Sequence, residues 1–478
     1  MTPDYVDDIA YPHHFHREMT PAWLDAVLRG LGRPRPNPLA SLRWCELGCG
    51  LGLNALVCAA TNPSIHVTAI DGNAAQLQRL QGDADSAGIN NIDLVQADFA
   101  NLDTFDPQGE GFDVIVTHGV LSWISPVQRQ AVLRFMQRRL RPGGLVYAHY
   151  MTHPGLSAAA ATQRLVRRVA AAQPGHSAQR AQAGLEMLLR LDQAGAGHFI
   201  ASPQERPRLA AARQQDPAAL AHELLPAHWE PFHVGDMMDA FAAIGCDYIG
   251  SATPIDNIDA VSLPAATRPM LAGVPDAATA ETIRDIARNQ SYRRDLYQKG
   301  GQPLRPAEHM AALLSLKIAP LPGTPRSGGL TFNTPIGPVQ GEEAVFGPLL
   351  AALARQPQSV EALSRLHRHP LHPALLNQAV QMLLWAQLVH PLTASPAPPE
   401  AAWRLNRRLA EAGVAGHLLA PALGTALPAG VQDMAMAAAV LANPSIGAGA
   451  LRERFGQPAE AWHRMTRPGW VALGVLPG

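Results

Sequence analysis

Glu46, Gly48, Gly50 and Gly52 stand at alternate positions in the segment CELGCGLGLN. Glycines in this pattern let a backbone turn at positive φ and come close to a ligand. Leu53 and Asn54 follow the last glycine, so the lysine and hydroxyl of a phosphate-cradling loop are missing. The spacing is also not the G-x-G-x-x-G of dinucleotide binding. A carboxylate ahead of the glycines suits a ligand with positive charge. S-adenosylmethionine, with its sulfonium and ammonium, fits that requirement. The chemistry this offers is an in-line one-carbon transfer. The protein must then align donor with acceptor and leave the acceptor a free lone pair.

The elements needed to position such a site are legible around the motif. SLRWCEL reads as a buried strand and LNALVCAA as the helix after the turn. IHVTAID is a second strand, ending on Asp71, where a carboxylate can grip ribose hydroxyls. NIDLVQADF ends a third strand at Asp98 and Phe99, an adenine-edge contact and an apolar ring face. FDVIVTHGV is a fourth strand with an uncharged tip. SPVQRQAVLRFMQRRL then reads as a helix with Ser125 as N-cap and Pro126 at its first position. LVYAHYM is strand five. Strict β–α alternation implies a parallel, doubly wound sheet with ligands at the carboxyl ends of its strands. Cys49, Asn54 and Gly72 share the two turns and join the cofactor candidates.

Residues from about Tyr11 to Gly155 resemble a class I S-adenosylmethionine-dependent methyltransferase. THGVLSWI and HELLPAHWEPFHVGDMMDAFAAIGCDYIGSA narrow the resemblance to bacterial methyltransferases with a methyltransferase regulatory domain. That group includes rickettsial lysine methyltransferases acting on outer-membrane proteins. After strand five the family has a segment like S-Y-N-x-x-P-G-W. Here Tyr150, Pro154 and Gly155 match it, while His149, Met151 and Leu156 replace the Ser, Asn and Trp. The resemblance implies that the N-terminal stretch YPHHFHREMTP is a lid with Tyr11 near the methionyl end. It implies that the backbone from Thr117 through His118 to Gly119 receives the ammonium. Its acceptor-side candidates are His118, Trp123, His149 and Tyr150. Trp123 can flank an aliphatic stem or pack under a helix. His149 can be a base or a structural hydrogen-bonder. Lysine is the family acceptor, and the altered segment keeps an amide such as asparagine open. His13, His14 and His16 lack a carboxylate or thiol at a metal-ligand spacing, so no metal is expected.

The chain has 478 residues, room for two or three domains. Its 38 basic and 39 acidic residues give a net charge of −1, so no global field recruits nucleic acid or an acidic membrane. Cys45, Cys49, Cys58 and Cys246 show no disulfide framework, which fits a reduced cytoplasm. The N-terminus lacks a secretory pattern, and no apolar run is long enough to span a membrane. Lys299 and Lys317 are the only lysines; the arginine excess reads as a codon bias.

The expected fold class is α/β: a Rossmann-like methyltransferase sheet with a helical insertion, and a mainly helical, winged-helix-like C-terminal domain. Residues 1–155 and 231–300 are expected to form the core with its N-terminal lid. Residues 156–230 form a helical insertion or regulatory cap, 301–329 a linker, and 330–478 the C-terminal domain. NQSYRRDLYQKG alternates like an edge strand and is the candidate seventh strand. Pro373 to Val389, the third helix of the winged-helix pattern, contains no Arg or Lys. Groove reading needs such residues, so this module is expected to dock protein or to dimerise rather than bind nucleic acid.

The expected function is N-methylation of a side-chain nitrogen in a protein or ribosomal peptide by a cytoplasmic enzyme. The alternatives are a small-molecule methyltransferase, with a homodimer built by the extra modules, and a catalytically silent cofactor-binding regulator.

Overall fold

The computed structural model describes residues 5–9, 11–36, 41–104, 111–366, 371–393, 396–413 and 416–478. Helix α1 (Pro21–Leu31) starts at Thr20 with Pro21 in its first turn, where the missing N–H costs no bond. The core then alternates strand and helix through β1 (Arg43–Leu47), α2 (Leu53–Thr61), β2 (His66–Asp71), α3 (Ala74–Ala87), β3 (Ile92–Gln96), β4 (Phe112–Thr117), α4 (Pro126–Arg139) and β5 (Leu140–Met151). Ser125 caps α4 in a reciprocal box with Gln128, fixing the helix start beside the β4 turn.

Five helices interrupt the sheet after β5: α5 (Ala159–Ala171), α6 (Ser177–Gln193), α7 (Gly197–Ala201), α8 (Glu205–Ala212) and α9 (Pro217–Leu224). The chain then returns through α10 (Val234–Ala242), β6 (Cys246–Ser251), α11 (Asp259–Ser262), α12 (Ala277–Arg288) and β7 (Tyr292–Lys299). The result is a seven-stranded sheet in the order β3-β2-β1-β4-β5-β7-β6. Strands β1 to β5 run parallel, and β7 is antiparallel to both its neighbours. The candidate seventh strand is therefore not an edge strand, as its polar alternation suggests; it lies between β5 and β6. Arg293 and Asp295 are buried there because they neutralise each other, with Glu281 also on the guanidinium at 2.8 Å.

Past β7 come α13 (Pro306–Leu314), β8 (Lys317–Pro320), a hairpin of β9 (Leu330–Thr334) and β10 (Gly337–Gly341), α14 (Glu343–Leu353), β11 (Gln358–Ser359), α15 (Val360–Ser364), α16 (Pro373–Trp385), β12 (Val389–Pro391) and α17 (Glu400–Ala412). The stretch expected as a linker thus holds a helix and a strand. Strand β8 is the middle of a three-stranded sheet ordered β11-β8-β12, so the C-terminal unit begins before residue 330. Helix α15 ends at Ser364, and residues 367–370 lie outside those described.

This unit does not hang free. One apolar cluster runs from Trp23 and Leu28 of α1 through Leu56 of α2 to Leu383 of α16 and Leu476. Arg404 on α17 donates to the Ala87 carbonyl at 2.8 Å, and Arg408 pairs with Asp83. The polar side chains of α16 face inward too: Asn377 donates to the Gly30 carbonyl at 2.9 Å, and Gln381 is buried. Among the described residues no helix is long and apolar enough to cross a membrane.

Candidate active site

The glycine turn sits between β1 and α2. Gly48 has φ +74°, and a Cβ there would stand 2.4 Å from Val120 Cγ2; Gly52 has φ +68°, and its Cβ would meet Leu80 at 2.3 Å. Both positions need glycine for backbone and for space. Asp71, at the tip of β2, accepts from the Gly50 N–H and the Asn73 N–H, each at 2.8 Å. One carboxylate therefore ties the glycine turn to the start of α3. Burial raises its pKa, and the backbone donors act against that.

A cavity of about 620 Å³ opens over this turn. Tyr11, Glu46, Gly48, Cys49, Gly50, Gly52, Asn54, Asp71, Gly72, Asp98, Phe99, His118 and Trp123 all line it. Thr117, Tyr150 and His149 do not. Thr117 is buried at the end of β4. Tyr150 faces the opposite side of the sheet, where its hydroxyl donates to Asp295 at 2.5 Å. Tyr150, expected on the acceptor side, instead belongs to the buried Arg293–Asp295 cluster, because its position in β5 turns its side chain away from the cavity. His149 lies one layer behind the cavity, and its Nδ1 accepts from the Gly119 N–H at 3.2 Å. Asn54 lines the cavity, yet both ends of its amide are spent on the lid: Nδ2 donates to the His16 carbonyl at 2.8 Å and Oδ1 accepts the His16 N–H at 3.0 Å.

The lid contributes more than Tyr11. His16 stacks on His118 with ring centroids 3.5 Å apart, and His118 stacks on His149 at 3.8 Å. This column joins the lid to the tips of β4 and β5. Burial pushes the His16 pKa down to about 3, with Arg294 adding repulsion. Burial and the neighbouring His149, His16 and Arg294 hold His118 well below its usual range. The column is therefore neutral at physiological pH. The sequence signal for it was the histidine cluster itself, which carries no spacing that specifies stacking. The helical insertion closes the other side. Asp8 accepts from the Ser177 N–H at 2.8 Å, and the His222 ring meets Tyr11 edge-on at 5.0 Å. Among the described residues no cluster of His, Cys, Asp or Glu is placed to hold a metal.

Glu46 tests the site against its cofactor. Its Oε2 is buried with no hydrogen-bond partner among the described residues, a costly state that a cationic group relieves. Burial, with Asp71 nearby, raises its pKa from 4.5 to about 8, so the free protein holds Glu46 protonated at pH 7. A cation beside it favours the carboxylate. Cofactor binding at pH 7 is therefore expected to release up to one proton. Calorimetry in two buffers of different ionisation enthalpy reads this release, and Glu46→Gln abolishes it. Identical heats in both buffers would show that Glu46 is not the group that answers the cofactor's charge.

Two family models match the chain. One, described as "Methyltransferase domain", covers residues 45–144; the other, "Predicted methyltransferase regulatory domain", covers 216–299. The second span takes in α9, β6 and the antiparallel strand β7, so the regulatory segment is partly the sheet itself. An uncharacterized protein of Synechocystis, sll1526, is 31% identical over 362 residues, 76% of this chain and 71% of the relative. A carboxy-S-adenosyl-L-methionine synthase of Dichelobacter nodosus is 30% identical over 110 residues, 23% of this chain and 44% of the synthase. In fold, the chain is similar to PKMT2 from Rickettsia typhi in complex with AdoHcy, with a TM-score of 0.69 at 17% identity, over 90% of this chain and 88% of that one. The likeness extends through the insertion and the C-terminal unit, beyond the cofactor sheet that many enzymes share. The chain belongs to the class I S-adenosylmethionine-dependent methyltransferases that carry a methyltransferase regulatory domain.

Proposed function

We propose that this enzyme methylates a side-chain nitrogen of a protein or ribosomal peptide, with lysine as the acceptor and an amide such as asparagine as the alternative nitrogen. The observation that carries this reading is the acceptor side of the cavity, where a neutral imidazole, His118, stands with Trp123 under a cap of five helices. The resemblance to the rickettsial lysine methyltransferases supports the same acceptor.

Bound S-adenosylmethionine supplies a methyl group on a sulfonium that departs as a neutral thioether. The residues of this chain do the rest. Glu46 and the backbone at His118 and Gly119 would hold the methionyl ammonium, Asp71 the ribose, and Asp98 with Phe99 the adenine. A lysine amine, with an ordinary pKa of roughly 10.4, must be neutral to attack. His118 Nδ1 lies 2.9 Å from the Tyr147 hydroxyl. With that nitrogen donating to Tyr147, Nε2 keeps a lone pair that can accept the acceptor's N–H and aim its free lone pair, while its lowered basicity leaves the lysine proton to solvent. A neutral imidazole also adds no positive charge beside the sulfonium. Trp123, whose Nε1 donates to the Glu223 carbonyl at 3.4 Å, presents a fixed ring to an aliphatic stem.

Purified enzyme incubated with labelled S-adenosylmethionine and lysate from its host, then resolved by size, tests the reading. Label is expected in a discrete protein or peptide band, with mass spectrometry placing the methyl on nitrogen. Label confined to the low-mass fraction would overturn it in favour of a small-molecule acceptor. No transfer at all, with cofactor binding intact, would point to a silent regulator.

A further inference from the structure

A second concavity, of about 680 Å³, lies outside the cofactor cavity, between α5 and residues 227–230. Its walls are Arg164, Arg167 and Arg168 on one side, and His228 and Trp229 on the other. Arg164 and Arg168 are exposed and form no ion pair among the described residues. Several arginines elsewhere in this chain are matched with carboxylates: Arg129 with Glu230, Arg208 with Glu205, Arg284 with Asp259. Helix α5 has no acidic residue in its sequence AAATQRLVRRVAA. Arg164 and Arg168 are one turn apart and repel each other, which weakens the helix that carries them. Arg167 is fixed, its Nη1 donating to the Ala227 carbonyl at 3.0 Å. Trp229 has a buried indole N–H without an acceptor among the described residues. The carboxylate of Glu230, at the groove's end, is already engaged by Arg129 at 2.7 Å.

We propose that this groove docks an acidic segment of the protein substrate, a short distance along the chain from the methylated nitrogen; the proposal rests on the protein-substrate reading above. Guanidinium forks grip carboxylates in two-point contacts, which gives position as well as attraction. The groove-lining residues 164 to 171 span about 10 Å of helix axis, the length of roughly three extended residues. Two carboxylates at alternate positions, about 7 Å apart, match the roughly 6 Å rise between Arg164 and Arg168. A nucleic acid fits less well. Backbone tracking needs a longer run of cations, and here the arginines that line the groove stand on one helix with a carboxylate at its end. The groove also borders the acceptor side. Trp229 packs in the same apolar cluster as Trp123, which lines the cofactor cavity. The groove and the cofactor cavity are thereby linked through Met151, Leu156 and Ala159, against which both tryptophans pack.

Fluorescence anisotropy of the full-length protein with S-adenosylhomocysteine bound tests this directly. The probes are fluorescein-labelled hexaglutamate, hexalysine and a six-nucleotide single-stranded DNA. Hexaglutamate is expected to bind in preference to both others and to weaken steeply with salt. The double variant Arg164→Glu with Arg168→Glu is expected to lose about tenfold or more in hexaglutamate affinity. Calorimetry should show unchanged S-adenosylhomocysteine binding in that variant, which certifies its fold. Equal hexaglutamate binding by wild type and variant would overturn the proposal, as would preferential binding of the oligonucleotide. The binding experiment does not depend on methyl transfer. Protein label in lysate that is unaffected by the double variant would sink the groove and leave the protein-substrate reading standing. Label only at low mass would sink that reading, whatever the probes do.

Discussion

Asp71→Ala is expected to weaken S-adenosylhomocysteine binding by about 100-fold or more. Its carboxylate accepts from Gly50 and Asn73, and those bonds place the glycine turn and the first turn of α3 around the cavity. Hydrogen bonds to a charged group contribute about 1.5–3 kcal/mol each. Two such bonds to ribose hydroxyls, added to the loosened turn, exceed the roughly 2.7 kcal/mol that 100-fold represents. Calorimetric titration of the variant measures the loss directly. Asp71→Asn separates the two contributions, since an amide oxygen still accepts from one backbone N–H while the charge is gone. An Asp71→Ala variant that binds within threefold of wild type would remove Asp71 from the cofactor site.

The second large effect concerns the imidazole column. His118→Ala is expected to lower the methyl-transfer rate by about 10²-fold, the scale of loss when an attacking group is no longer held in line. Affinity for S-adenosylhomocysteine should change little, because Glu46 and Asp71 are untouched. Alanine also removes the ring that His16 stacks on, so a loss by itself has two explanations: a missing lone pair or a displaced lid. His118→Phe distinguishes them. Phenylalanine keeps an aromatic face between His16 and His149 but has no nitrogen to hold the acceptor's N–H. Positioning by the ring nitrogen requires both variants to be slow at saturating cofactor. Recovery of the rate in His118→Phe would make the column a lid fastener only.

The sequence by itself determined whatever depends on local order. Alternating β and α patterning, the positive-φ glycines and the carboxylates at strand tips are properties of short segments. Strand-to-helix turns are built from neighbouring residues, so Glu46, Gly48, Gly52, Asp71 and Asp98 could be placed at one edge of one sheet before any contact was known. The Ser125–Pro126 helix start was legible for the same reason. What the sequence left undecided is non-local. A strand's side chains alternate between faces, but its pattern does not say which face meets the ligand. In β5 that parity sends Tyr150 to Asp295 and His149 to the Gly119 turn, although both are adjacent in sequence and one matched the family segment. Polar alternation in β7 looked like exposure because charge is usually solvated; Arg293 and Asp295 are buried by pairing, a fact about two elements rather than one. The His16–His118–His149 column spans more than a hundred residues of chain, and no spacing rule could join the lid to two strand tips. The C-terminal unit looked tethered because proline and glycine mark loops. Only the tertiary structure could show α17 fastened to α3 and one apolar core shared across both, because burial of a face is decided by what lands on it.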